Sequence, residues 1–235
     1  MQLISAGRFR NECCRPRNPI RRVGCTVATV VLSLLILLQG GCTSPAIRAQ
    51  QAVALGHRYA ASGNTDDALG MYTEAIELDE SNADAYLGRG DLYDDVRRYD
   101  EAVKDYTQLL ELEPGNTRGL FNRSVAYYHL GDFNRAIGDL SAILERDPTN
   151  LSALDARGRY RSEAGNLQEA LTDFDVALAQ QPNYVLARIH RGNALRKVGQ
   201  YTLALQEYDK AVKMAPSVSE AWTQRGICRW FQRNY

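Results

Sequence analysis

The sequence is poor in cysteine, in histidine and in long apolar runs. Five cysteines occur in 235 residues, and Cys13, Cys14, Cys25 and Cys42 all lie in the first 42. Cys228 stands alone in the remainder, so no intrachain disulfide framework is available to that body. Such a body can fold in a reducing or an oxidising compartment. His57, His129 and His190 are the only histidines, and none has a second ligand at metal spacing. No serine sits in a G-x-S-x-G setting, and no glycine-rich phosphate loop follows a strand. These absences predict no enzyme, no metal and no cofactor. The apolar stretch from Val23 to Leu38 has 16 uncharged residues. That is short of the ~20 a membrane-spanning helix needs.

Net charge is also missing, but the zero sums two unlike pieces. Residues 1–42 hold six Arg and one Glu, which leaves 22 basic and 27 acidic residues beyond them. A mildly acidic body argues against nucleic acid as a partner. The basic leader, Arg8 to Arg22, precedes the apolar stretch, as in an export signal. Such a leader stays on the cytoplasmic side while the body is translocated.

Gly40 and Gly41 then precede Cys42. This junction resembles the lipobox of bacterial lipoproteins, in which the cysteine is acylated and becomes the new N-terminus. Gln39 departs from the usual Leu or Val, so an uncleaved signal anchor stays open beside lipidation of Cys42. Thr43 is followed by Ser44, which by that resemblance implies the outer membrane. Either way, residues 1–42 act as signal peptide or membrane anchor, and 43–48 as a short linker.

The body carries a period of 34. Arg89, Arg123, Arg157, Arg191 and Arg225 keep that interval, as do Ala68, Ala102, Ala136, Ala170 and Ala204 and prolines 114, 148, 182 and 216. A fixed interval of this length marks stacked supersecondary units. Within each unit, apolar residues recur three or four apart in two runs, and proline follows the second. Each unit therefore reads as helix, tight turn, helix, loop.

These residues resemble the tetratricopeptide repeat (TPR), whose pattern W-x2-L-G-x2-Y…A-x3-F…P is met by Tyr86, Gly90, Tyr93, Ala102, Tyr106 and Pro114 in one unit. The resemblance implies an all-α, right-handed α-solenoid of stacked antiparallel helix pairs. Five units run 49–82, 83–116, 117–150, 151–184 and 185–218, and 219–235 is the first helix of an incomplete sixth. Gly56, Gly90, Gly158 and Gly192 are expected where the two helices of a unit cross, opposite the repeated alanines. Where a unit has Arg before that position, an acid stands sixteen residues on. This predicts the ion pairs Arg89–Asp105, Arg123–Asp139, Arg157–Asp173 and Arg191–Glu207. Arg225 has no such acid.

The family resemblance also implies a concave groove lined by first-helix residues two, five, nine and twelve places into each unit. These include Phe121, Tyr128, Asp155, Arg159, Ile189, Asn193 and Arg196, the candidates for binding a protein or peptide partner. The places at which chaperone-binding members hold a terminal carboxylate carry Val53, His57, Gly88, Arg118 and Asn122, which do not match. Trp222, Trp230 and Phe231 load the last helix with apolar groups and suggest self-association. The function expected is an exported, membrane-anchored scaffold in the cell envelope, similar to bacterial TPR lipoproteins. The alternatives are a signal-anchored interaction protein and the TPR arm of a larger enzyme or assembly.

Overall fold

A computed structural model describes residues 44–234. Cys42 and the leader lie outside the described residues. Eleven helices follow one another, and no strand occurs among the described residues. They are α1 (Pro45–Ala61), α2 (Thr65–Leu78), α3 (Ala83–Asp95), α4 (Tyr99–Leu112), α5 (Thr117–His129), α6 (Phe133–Arg146), α7 (Leu151–Glu163), α8 (Leu167–Gln180), α9 (Val185–Lys197), α10 (Tyr201–Met214) and α11 (Ser219–Asn234). Consecutive helices pair antiparallel into a solenoid. First helices also touch first helices of neighbouring units, α3 with α1 and α5, and α9 with α7 and α11. This puts the odd-numbered helices on the inner side of the stack.

Local signals set the helix ends. Asn82, Asn116 and Asn150 each close a unit, and their side chains accept a hydrogen bond from the backbone N–H three residues on. The first helix begins at Pro45, so it takes in most of the stretch read as a linker. Ser44 caps it by accepting from the N–H of Ile47, and proline suits the first helical position. The dipeptide Ser44–Pro45 was the sequence signal for this start.

First helices end in a left-handed residue. Gly63, Gly131, Gly165 and Gly199 have φ near +80°, but unit two places Arg97 there at φ 62°. That conformation costs a non-glycine residue about 1–2 kcal/mol, against about 0.5–1 kcal/mol of extra chain entropy lost by glycine. Arg97→Gly should therefore raise stability by about 0.5–1 kcal/mol, read as a higher urea midpoint.

The repeated alanines 68, 102, 136, 170 and 204 are fully buried. The helix-crossing glycines, however, face an aromatic ring rather than these alanines. A Cβ on Gly56 would lie 2.7 Å from Tyr72, on Gly90 2.8 Å from Tyr106, on Gly158 2.7 Å from Phe174 and on Gly192 2.6 Å from Tyr208. The ring four residues beyond each alanine fills the crossing, and glycine makes room for it. Unit three has Ser124 with Leu140 in the ring column, both fully buried.

The arginine column joins neighbouring units. Arg89, Arg123 and Arg157 each hold Asp105, Asp139 and Asp173 with two parallel hydrogen bonds, with Nη2 2.7 Å from the carboxylate. The remaining Nη1 of each reaches back to the preceding unit and donates to Thr73, Thr107 or Ser141. Arg191 keeps the expected pairing more loosely. It donates to Asp175 at 2.7 Å, and its Nη1 is 3.5 Å from Glu207. Glu207 also takes Arg188 and Lys210, at shorter distances. The reason lies in the hydroxyl column, which becomes Asp175 and Asp209 and draws the arginine backward. Arg225, expected to lack an acid, pairs with Asp209 at 2.8 Å.

Candidate partner-binding groove

The inner face begins with bonds between the two helices of a unit. Tyr106 donates its hydroxyl to Asp91, and Tyr208 donates to Asn193. Tyr72 Oη lies 2.8 Å from Nδ1 of His57. Each acceptor stands nine places into its unit, a predicted groove position. Burial pushes the Tyr208 phenol up to about 12, and burial with the nearby Asp91 charge pushes Tyr106 up as well. Units three and four break this rule. Leu140 and Phe174 carry no hydroxyl, and their ninth residues are Val125 and Arg159 rather than acceptors.

The inner face of unit two carries Asp91 and Asp94. Asp91 accepts from Tyr106, Asn122 and Arg118. Asp94 lies beside it, and burial raises its carboxyl above the ordinary range. The later half is basic on balance, with 12 basic and 8 acidic residues in 151–235, against 5 and 15 in 49–116. Charge is therefore graded along the stack.

A cleft of about 160 Å³ opens on the basic half. It brings together Tyr128, Arg159 and Asn193 of the predicted groove set, with Ser162, His190 and Lys197 beside them. Tyr128 is half-buried and stacks on Tyr160 with ring centroids 4.4 Å apart. Burial pushes the Tyr160 phenol up to about 12. Arg159 is exposed and forms no hydrogen bond or ion pair with a described residue.

Other predicted groove residues go elsewhere. Asp155 is buried and lies 2.6 Å from Nδ1 of His190, so a partner cannot reach it. Ile189 is fully buried in the core. Phe121 is half-buried and packs on the core of units three and four. The fifth place in each unit thus faces the adjoining first helix more than the groove. Arg196 is half-buried, with its guanidinium 5.7 Å from the Phe231 ring centroid. His190, six places into its unit, was not among the groove candidates.

On α11, Trp222 and Trp230 are exposed. Trp222 donates its ring N–H to the Pro216 carbonyl, and Arg225 lies over its ring at 4.4 Å. Phe231 lies parallel to Tyr201, with centroids 6.3 Å apart. Cys228 is fully buried, and burial pushes its thiol up, away from the reactive thiolate. Among the described residues no three His, Cys, Asp or Glu side chains come together to hold a metal, and no helix is long and apolar enough to cross a membrane.

Comparisons with known proteins agree on the architecture. No curated protein matches the chain. Among solved structures, YrrB, described as a TPR protein with an unusual peptide-binding site, is 24% identical with a TM-score of 0.66, over 74% of this chain and 90% of that one. A tetratricopeptide repeat protein from Parabacteroides merdae is 20% identical with a TM-score of 0.74, over 79% and 73%. A MamA fragment from Desulfovibrio magneticus is 16% identical with a TM-score of 0.68, over 73% and 97%. At these identities the likeness is one of fold. The family models reach further, matching a tetratricopeptide repeat at residues 90–150, 156–219 and 191–235 and a TPR repeat at 56–95. With the 34-residue period and the stacked helix pairs, these matches place the chain in the tetratricopeptide repeat family.

Proposed function

We propose that this chain is an exported, membrane-anchored adaptor that binds a segment of a partner protein along its inner groove. The observation that carries this reading is the row formed by Tyr128, Arg159 and Asn193. They come from three successive first helices and converge on one cleft. A solenoid repeats such a row and so offers an extended binding surface. The charge gradient along the solenoid would orient an incoming partner and raise its on-rate at low salt. Export rests on the basic leader, the apolar stretch after it and the Gly41–Cys42 junction.

Capture from envelope extracts tests the groove. Arg159→Ala should lose partners that the unaltered chain retains, and Arg159 is exposed, so folding should not change. An identical set of partners from both would remove the assignment. Mass spectrometry of the mature N-terminus tests the anchor. Acylated Cys42 is expected for the outer-membrane lipoprotein, and an intact Met1 would leave a signal-anchored protein. Self-association through Trp222, Trp230 and Phe231 belongs to the same reading, and Trp222→Ser should reduce any dimer seen by sedimentation.

A further inference from the structure

The cleft on units four and five has chemistry that the groove reading alone does not specify. Phe174 lines it, in the column where units one, two and five have tyrosine. In units one, two and five the phenol hydroxyl bonds to the ninth residue. In unit four there is no hydroxyl, and the ninth residue is a donor, Arg159. The guanidinium is therefore left without an internal partner at the cleft.

The other polar groups there are partly engaged. Lys197 Nζ donates to the Ser162 carbonyl and to Glu163, which neutralises it. His190 Nδ1 is held by Asp155, which leaves Nε2 as its free ring nitrogen. Asn193 Oδ1 accepts from Tyr208, which leaves its Nδ2 donor. One cation without an ion-pair partner, Arg159, and the free amide donor of Asn193 thus border the same space. Its volume of about 160 Å³ is below the ~300–1,000 Å³ typical of small-molecule sites and suits a single side chain. The cleft is bordered by first-helix residues from unit three to unit six, Tyr128 to Glu220, so a chain running along the groove passes over it.

We infer that this cleft takes the carboxylate of one Asp or Glu side chain from an extended segment of a partner protein. This inference rests on the groove reading above. Arg159 is the ion-pair anchor, Asn193 Nδ2 supplies a further donor, and the Tyr128 ring forms an apolar wall. A doubly charged phosphate fits less well, because a single unpaired cation faces it and the exposed Glu220 borders the same cleft. Glu220 forms no ion pair with a described residue and should repel the incoming acid.

Selection of short random peptides displayed with a free N-terminus, using the full chain as bait, tests this. The enriched peptides should share one internal Asp or Glu. Replacing that acid by its amide, or the bait by Arg159→Glu, should weaken binding about tenfold or more, whereas Arg159→Lys should retain most of it. Glu220→Gln should tighten it. Circular dichroism of each variant shows whether the fold is kept. Enriched peptides without a shared acid, or acids retained by Arg159→Glu, would overturn the inference while leaving groove binding intact. Preference for a phosphoserine peptide, or dependence on a free terminal carboxylate, would also overturn it. Failure to enrich any peptide would count against the groove reading itself.

Discussion

Asp173→Ala should destabilise the protein by about 3 kcal/mol, the low end of what removing one partner from a buried ion pair costs. Asp173 is 2% exposed and accepts three hydrogen bonds, two from Arg157 and one from Arg161. Removing it strands two guanidinium groups that are themselves mostly covered, with side-chain exposures of 18% and 19%. The neighbouring column gives an internal control. Asp175 also sits 2.7 Å from an arginine, Arg191, but its side chain is 58% exposed. Exposed pairs contribute only about 0–1 kcal/mol, so Asp175→Ala should be nearly silent. Because repeats unfold as coupled local units, the loss should fall on unit four and its neighbours and broaden the urea transition. Equal effects of the two alanine variants would show that burial does not set the strength of this column.

The fold was legible because one interval runs through five units, and no local accident imitates that. The arginine pairs were legible for the same reason in units two to four, where the column sixteen residues ahead is acidic. The fourth pair is longer because a second column, sixteen residues behind, changes from Thr73, Thr107 and Ser141 to Asp175 and Asp209. That change is visible in the sequence, but its meaning depends on which second helix lies closer to the guanidinium. The groove was less legible. Position in a repeat says which side of a helix a residue occupies, but Asp155 and Ile189 show that a residue at such a position can still be buried. The free cation at Arg159 needed two facts together, the missing hydroxyl at Phe174 and the absence of any other internal partner. Only the first is written in the sequence.

The helix crossing makes the other large prediction. Gly158→Ser should cost about 2–3 kcal/mol, toward the upper end of overpacking penalties. The new Cβ would lie 2.7 Å from Cε1 and 2.8 Å from Cζ of Phe174, a ring that is fully buried. A glycine replaced in an open helix would gain stability instead, by up to about 1 kcal/mol, so the sign of the change reports the crossing. Unit three already carries the compensated arrangement. Its Ser124 is fully buried with Leu140 in the ring column, and the serine hydroxyl donates to the Phe121 carbonyl. Transplanting both residues, Gly158→Ser with Phe174→Leu, should therefore recover much of what the first change loses. Phe174→Leu alone should cost about 1–2 kcal/mol through the space it leaves. The double variant should fall short of the sum of the two single losses by at least about 1 kcal/mol, within the range measured for residues in contact. Strict additivity in urea unfolding would mean that the ring does not set the size allowed at position 158. Coupling of the predicted sign would show that the glycine column and the ring column form one packing unit repeated along the solenoid.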